Sequence, residues 1–161
     1  MANAVNPLPA IKSNDLLFTI ERSRDADKII YELNLDESGL VIKSNPIKIK
    51  WIRNTDHQKI EPLTIIQQQY SYGIRFLDQD LNIENEWHFQ FVSYSKRTFI
   101  LKQSENSSYK VFTKIDNKEV ELNRIYIQFK NRSFWFPSIS AVKIYGKLES
   151  SDNWLAEVVI P

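Results

Sequence analysis

The residues best suited to chemistry lie in one short stretch that combines cations with three adjacent aromatic rings. Phe134, Trp135 and Phe136 are consecutive, Arg132 precedes them and Pro137 follows. Neighbouring strand residues point to opposite faces and proline cannot donate to a central ladder, so at least one ring should pack over a sheet end or stay exposed. Exposed rings beside cations suit a sugar, a lipid headgroup region or a protein partner, whereas buried rings would plug one end of the core. We predict that this segment contacts a ligand or partner.

Anion binding is a second candidate chemistry, at the end of the first predicted strand. Arg22 and Arg24 flank Ser23 there, and guanidinium groups match the geometry of carboxylate and phosphate groups. The competing interpretation is a charged turn in which one arginine pairs with Asp25 or Asp27. Arg22 therefore joins the predicted binding residues, with the ion-paired turn as its alternative.

Two histidines could support acid–base catalysis with neighbouring carboxylates. His57 follows Asp56 and lies near Glu61, and His88 shares a strand face with Glu86. A histidine beside a carboxylate can hold a proton near neutral pH, as a small hydrolase or isomerase would need. The stretch around His57 is also typical of a polar turn, and no nucleophile elbow or glycine-rich oxyanion loop accompanies it. We therefore predict no catalytic residue and keep the hydrolase or isomerase as an alternative.

The composition excludes several classes of site. The chain has 161 residues, no cysteine and two histidines, so disulfides, thiolate metal sites and cysteine nucleophiles are excluded, and a histidine-rich metal site is not expected. Its 21 Lys+Arg and 20 Asp+Glu leave a formal net charge of +1 without a basic stripe, which argues against nucleic acid. No apolar run has the length of a membrane helix. We predict no metal, no cofactor and no transmembrane segment, with a small molecule, a glycan or a protein as the partner.

The elements that must position these residues alternate apolar and polar side chains. Trp87, Phe89 and Phe91 face one way and the residues between them face the other, a period of two that indicates a half-buried strand. A change of phase after Leu122 predicts a bulge or bend near Asn123. The predicted strands cover about residues 16–21, 28–36, 47–51, 74–77, 86–94, 98–102, 109–115, 120–130, 139–148 and 154–160.

One segment departs from this pattern and predicts a helix of two to three turns. Leu63, Ile66 and Tyr70 have the spacing of one helix face. Pro62 suits the first helical position, and Gly73 lies just beyond the predicted end. We expect this helix to lie over an end or an edge of the sheet.

These elements predict a single all-β domain over residues 15–161. It is a mostly antiparallel meander of about nine or ten strands curled into a barrel, with one short helix near residues 62–71. A two-layer β-sandwich is the alternative, since so many strands must curl, close or split into layers. Residues 1–14, which contain two prolines, are predicted to form an extended lead-in.

Several short motifs, taken together, resemble one bacterial family. They are, in chain order, the stretch Phe18–Ser23, Pro46 followed by Trp51-Ile52, Leu63-Thr64 with Tyr72-Gly73, the stretch Ile125–Ile127 and the stretch Val142–Gly146. In this order and spacing they resemble a usually exported family catalogued as domain of unknown function 4833, over about residues 15–161. The resemblance implies an exported bacterial protein, and it carries over no activity, ligand or functional residue.

The first residues add to the expectation of export. Ala2-Asn3-Ala4 has the small-x-small form found around a signal-peptidase site. A polar cytoplasmic start that happens to have this sequence is the alternative. Together with the resemblance, the motif predicts an extracytoplasmic location, whether periplasmic, at the cell surface or secreted.

The predicted function is that of a non-enzymatic, exported binding or interaction module. If the sheet closes, an aromatic-lined mouth involving Trp51, Trp87 or Tyr94 becomes a further ligand site beside the aromatic segment. The alternatives are the small hydrolase or isomerase and a purely structural subunit, which would have a filled barrel and a large apolar self-contact.

Overall fold

The computed structural model describes residues 15–54, 57–77, 84–130 and 138–161, which form one eleven-stranded sheet and one short helix. The strands are β1 (Leu16–Arg22), β2 (Lys28–Leu33), β3 (Ile47–Arg53), β4 (Lys59–Pro62), β5 (Ile74–Phe76), β6 (Trp87–Phe91), β7 (Tyr94–Gln103), β8 (Tyr109–Ile115), β9 (Lys118–Phe129), β10 (Ile139–Leu148) and β11 (Trp154–Val159), and the helix is α1 (Ile65–Tyr70). The predicted all-β, barrel-like fold with one short helix is confirmed.

Two arms of the sheet leave the same edge of the long strand β9. Residues Lys118–Glu121 of β9 pair antiparallel with β8, and residues Arg124–Ile127 pair in parallel with β1. The first arm continues from β1 through β2 and β3 to β4, and the second continues from β8 through β7 and β6 to β5. Strand β10 occupies the other edge of β9, and β11 follows it. The sheet is therefore mixed, with one parallel pair among antiparallel ones.

The predicted bulge at Asn123 is confirmed, and it lies between the two arms. The pairing of β9 with β10 steps from Arg124↔Tyr145 to Leu122↔Gly146, which leaves Asn123 as the extra residue. A bulge inserts one residue and so changes which face the following side chains occupy. Leu122 and Ile125 are consequently both buried although they are an odd number of residues apart.

Aromatic rings from both arms meet in the core and curl the sheet into a half-barrel. In the first arm, Phe18 stacks on Tyr31 with ring centroids 4.3 Å apart. From the second arm, Phe91 meets Phe18 at 6.1 Å and Tyr31 at 5.7 Å, both edge to face. Phe91 also contacts Phe99 of its own arm at 5.1 Å. Such aromatic contacts add to the burial of apolar area and hold the two arms together.

Three local predictions require correction. Helix α1 is shorter than residues 62–71, because Pro62 still belongs to β4, which the sequence analysis missed. Thr64 caps the helix instead, its side chain accepting from the Gln67 N–H at 3.2 Å. Of the predicted apolar face only Leu63 packs in the core, at 5% exposure, whereas Ile66 and Tyr70 are about 70% exposed. Tyr94 starts β7 instead of ending the previous strand, since β6 and β7 are joined by a two-residue turn.

The buried hydroxyl of Tyr31 gives the fold a dependence on alkaline pH. It donates a 2.6 Å hydrogen bond to the Tyr72 carbonyl, and burial, with a smaller contribution from Tyr72, raises the pKa of Tyr31 well above its ordinary value. An unfolded tyrosine loses its proton near about pH 10. Above that pH the folded chain keeps a proton that the unfolded chain loses, so the free energy of unfolding falls as the pH rises.

We predict that Tyr31→Phe reduces this alkaline loss of stability. Between about pH 8 and about pH 11, wild type should lose about 1.4 kcal/mol more than the variant, because each pH unit above the unfolded pKa costs that amount. Urea unfolding at both pH values measures it. Tyr70→Phe is the control, since the side chain of Tyr70 is exposed. Equal losses in wild type and Tyr31→Phe would contradict the prediction.

Candidate functional site

Strands β7 and β8 pair over only part of their length and then separate. Their ladder joins residues Ile100–Gln103 to Phe112–Tyr109, although β7 begins at Tyr94 and β8 continues to Ile115. Beyond Phe112, the residues of β8 pair with β9 alone. The strands therefore form a fork, which we call the β7–β8 cleft.

The Arg97 side chain spans the fork where a strand ladder would otherwise continue. Its Nη1 donates to the Lys114 carbonyl at 2.7 Å and to Thr113 Oγ1 at 3.3 Å. Its Nη2 forms an ion pair with Glu157 of β11. Partial burial lowers the pKa of the Arg97 guanidinium from its ordinary value, while Tyr94 opposes that shift. Because Arg97 is fixed from three directions, it positions the cleft wall.

The cleft encloses a cavity of about 360 Å³ with an apolar floor and a polar rim. Ile100 and Phe112 are cross-strand neighbours and form the floor. Tyr94, Lys96 and Lys114 lie around them. Cavities of about 300–1,000 Å³ that combine apolar walls with a few polar groups are typical of small-molecule sites.

The rim carries two lysines that form no ion pair among the described residues. Within the described ranges, no carboxylate lies within ion-pairing distance of Lys96 or Lys114. Glu119, the cross-strand neighbour of Lys114, also lines the cavity, but it pairs with Lys102 at 2.8 Å. The two ammonium groups leave the open cavity with an excess of positive charge, which favours an anionic ligand.

Arg22 lies in a different cluster, at the end of β1. Its Nη2 pairs with Asp25 at 2.6 Å, and its Nη1 donates to the Tyr72 hydroxyl at 3.1 Å. Its guanidinium carbon lies 5.3 Å from the Trp51 ring centroid and 5.9 Å from that of Tyr72, and Arg53 approaches Trp51 at 5.6 Å. Burial alone would lower the pKa of Arg22, but Tyr72 and Asp25 raise it above its ordinary value.

This cluster contains the ion-paired turn that the sequence analysis kept as the alternative for Arg22. The side chain is only 7% exposed and its charge is met by Asp25, with Asp27 at 3.8 Å. Cation–π contacts with two rings further hold it in place. Arg22 therefore anchors the end of β1, and its role in ligand binding stays a prediction.

The predicted aromatic segment lies outside the described residues. Arg132, Phe134, Trp135 and Phe136 all fall within the gap 131–137, and their role stays a prediction. The ends of that gap are described, with the Lys130 N–H donating to the Ser138 carbonyl at 2.7 Å. Arg24 stacks over the Phe129 ring at 5.4 Å. The turn after β1 thus adjoins the described end of β9.

The three aromatic residues predicted to line a single mouth have different neighbours. Trp51 packs with Arg22, whereas Trp87 lies 6.1 Å from Tyr109 and donates to the Lys43 carbonyl at 3.2 Å. Tyr94 is the one of the three that lines the cavity.

The histidines occupy exposed or half-buried positions outside the cavity lining. His57 is exposed in a turn with φ of 52°, and Asp56 lies outside the described residues. His88 Nε2 lies 3.2 Å from Glu86 Oε1, and the residue is the cross-strand neighbour of Ile100. His88 and Glu86 are thus brought together, as an acid–base pair would require, one strand away from the cleft.

The described part of the chain contains neither a cluster of metal ligands nor a membrane-spanning helix. No group of three histidine, cysteine or acidic side chains there could hold a metal ion. No helix there has the length and apolarity needed to cross a membrane.

Comparison with known proteins identifies a family but no close relative of known structure. The family model described as Domain of unknown function (DUF4833) matches residues 18–157. No curated protein matches the chain. No solved structure matches it either.

Proposed function

The chain belongs to the DUF4833 family, and we propose that it is a non-enzymatic binding module that takes a small organic anion in the β7–β8 cleft. One observation carries the proposal: the cavity of about 360 Å³ has an apolar floor and two lysines on its rim without a carboxylate partner among the described residues. The fork that opens it is fixed by Arg97.

The chemistry of the lining indicates what such a ligand contains. Ile100 favours a ring or a short hydrocarbon portion, since it is partly exposed and contact with it removes apolar surface from water, whereas Phe112 beside it is already buried. Lys96 and Lys114 favour a carboxylate or phosphate group at the mouth. Both lysines are exposed, so each contact should contribute only about 1 kcal/mol.

Binding is better supported than catalysis. General acid–base chemistry most often uses a histidine or carboxylate within hydrogen-bond reach of the bound molecule. The paired His88 and Glu86 are not among the residues that line the cavity, and Glu119 is held by Lys102. The hydrolase or isomerase alternative would require a ligand that reaches across β7 to His88.

We predict that removing the rim lysines weakens anion binding. Isothermal titration of wild type with phenyl phosphate should give a measurable dissociation constant, which K96A/K114A should raise at least about tenfold, as the loss of about 1.4 kcal/mol implies. The control K43A/K130A removes the same charge from exposed lysines outside the cavity lining and should leave binding within about twofold. Absence of binding in wild type, or an equal loss in both variants, would contradict the proposed function.

An extracytoplasmic location is part of the same proposal. It is supported by the resemblance of residues 15–161 to a usually exported bacterial family. A fusion of the complete gene product to a reporter enzyme that is active only outside the cytoplasm tests it. An inactive fusion that accumulates inside the cell would overturn this part of the proposal and leave the binding site unaffected.

A further inference from the structure

Strand β11 presents an unpaired backbone edge. Among the described strands it pairs with β10 alone. The ladder joins Val142–Lys147 to Val159–Trp154, and the Leu148 N–H donates to the Asn153 carbonyl at 3.0 Å. Because hydrogen-bonded pairs alternate along an antiparallel ladder, the backbone groups of Leu155, Glu157 and Val159 point to β10. Those of the even-numbered residues point away from the sheet.

The residues with outward backbone groups also have exposed apolar side chains. Trp154 is 58% exposed, Val158 is 55% exposed and Ile160 is 71% exposed, and Ala156 between them is exposed as well. An edge of this kind is a template for another strand. Unpaired backbone N–H and C=O groups and exposed apolar side chains thus occur together along residues 154–160.

The other two ends of the described sheet carry protection that β11 lacks. Strand β4 has four residues and includes Lys59, Glu61 and Pro62. Strand β5 has three residues with the exposed Arg75 at its centre. Short edges, charges and proline are the usual barriers to edge pairing. Residues 154–160 contain no proline and no lysine, their one charge belongs to Glu157, and Pro161 follows only after the last of them.

The sequence of β11 is complementary to itself in antiparallel register. Centring a two-fold axis at Glu157 places Trp154 opposite Ile160 of the second copy and Ala156 opposite Val158. In both pairs the backbone N–H and C=O groups point away from β10, so these residues can form the hydrogen-bonded pairs of a new antiparallel ladder. We call them the outward-facing pairs. Leu155 then lies opposite Val159 of the second copy. Every cross-strand pair except the central one is apolar. The sizes also match, because the large Trp154 faces Ile160 and the small Ala156 faces Val158.

The central pair places Glu157 opposite Glu157 of the second copy, and Arg97 lies beside each of these carboxylates. Glu157 forms an ion pair with Arg97 of its own chain. Like charges directly opposite one another destabilise a strand pair, but an arginine beside each carboxylate offsets that repulsion. We propose that two copies of the chain associate through antiparallel pairing of β11 with β11, which joins their sheets into one.

Sedimentation equilibrium of the full chain tests the proposal directly. Wild type should shift with concentration from the 19.0 kDa chain mass towards twice that mass. A156K/V158K places lysine opposite lysine in both symmetry-related copies of the outward-facing Ala156–Val158 pair and should weaken association at least about tenfold. A156K/V158E places lysine opposite glutamate in the same positions and should restore it. Ile65→Lys is the control, because Ile65 is 72% exposed but lies on α1.

The sedimentation results of wild type and the variants either support or overturn the pairing of β11 with β11. All three substituted positions have exposed side chains, so the variants should keep the wild-type circular dichroism spectrum. A wild type that stays at the chain mass up to about millimolar concentration would overturn the proposal. So would a dimer that A156K/V158K leaves intact, or one that A156K/V158E fails to restore. The test is independent of ligand binding, since none of the substituted residues lines the β7–β8 cleft.

Discussion

Phe91→Ala should lower the free energy of unfolding by about 3–5 kcal/mol, the usual cost of deleting a buried phenyl ring. The ring of Phe91 is 6% exposed and joins the two arms of the sheet. It meets Phe18 and Tyr31 of the first arm at 6.1 Å and 5.7 Å, and Phe99 of the second at 5.1 Å. Its removal leaves a cavity between the arms, which the rigid strands on either side cannot fill. Urea unfolding followed by circular dichroism measures the loss.

A second aromatic residue provides the matched control for that experiment. Phe76 lies on β5 at the end of the second arm, is half-buried and contacts Phe89 at 6.0 Å. Phe76→Ala removes the same ring without touching the first arm, so it should cost about 1–2 kcal/mol. If both variants lost equal stability, the contact between the arms would not be what holds the half-barrel together.

Gly73→Ala should destabilise the fold by about 3 kcal/mol, at the upper end of what overpacking costs. A Cβ atom at Gly73 would lie 1.8 Å from the Gln68 carbonyl oxygen and 2.6 Å from its carbon. These are backbone atoms, so no side-chain rotation can relieve the contact and helix α1 must move. Tyr72 would move with it, although its carbonyl accepts from Tyr31 and its hydroxyl accepts from Arg22.

A second glycine separates the steric clash of an added methyl group from the strain of an unfavourable backbone conformation. Gly39 has φ of 83°, and a Cβ atom there would meet nothing within 4 Å. Gly39→Ala should therefore cost only the strain of a left-handed residue, about 1–2 kcal/mol. Thermal unfolding of both variants gives the comparison. A loss at Gly73 no larger than that at Gly39 would show that α1 accommodates the methyl group.

The strand pattern could be predicted from sequence because half-buried strands leave a period of two in the chain. The bulge at Asn123 was likewise visible as a change of phase. Strand β4 was missed because its four residues include one aliphatic side chain, Ile60, which is too few to establish a period of two, and because Pro62 was assigned to the helix. The helix was predicted too long since Pro62 suits a first helical position, whereas the capping interaction of Thr64 with Gln67 sets the actual start.

The β7–β8 cleft could not be predicted, because it depends on where a ladder stops. The predicted strands over 86–94 and 98–102 left Lys96 outside both of them. Nothing local indicates that β7 begins at Tyr94, or that its pairing with β8 ends at Ile100↔Phe112. Register is a property of two distant segments, so only the assembled sheet shows Lys96 and Lys114 at one cavity. Of the three aromatic residues predicted for a barrel mouth, Tyr94 is the one that lines this cavity.

The most direct test of the β7–β8 cleft as the ligand site is a map of where phenyl phosphate binds. Amide chemical shifts of the isotopically labelled wild-type protein provide that map. We predict that the largest changes fall on Lys96, Thr98 and Lys114, that they saturate, and that they are lost in K96A/K114A. Amides near Arg22 and Trp51 should not respond, because the Arg22 guanidinium is already held by Asp25 and Tyr72. Saturable changes confined to the Arg22 cluster, or no saturable changes at all, would contradict the assignment of the β7–β8 cleft as the ligand site.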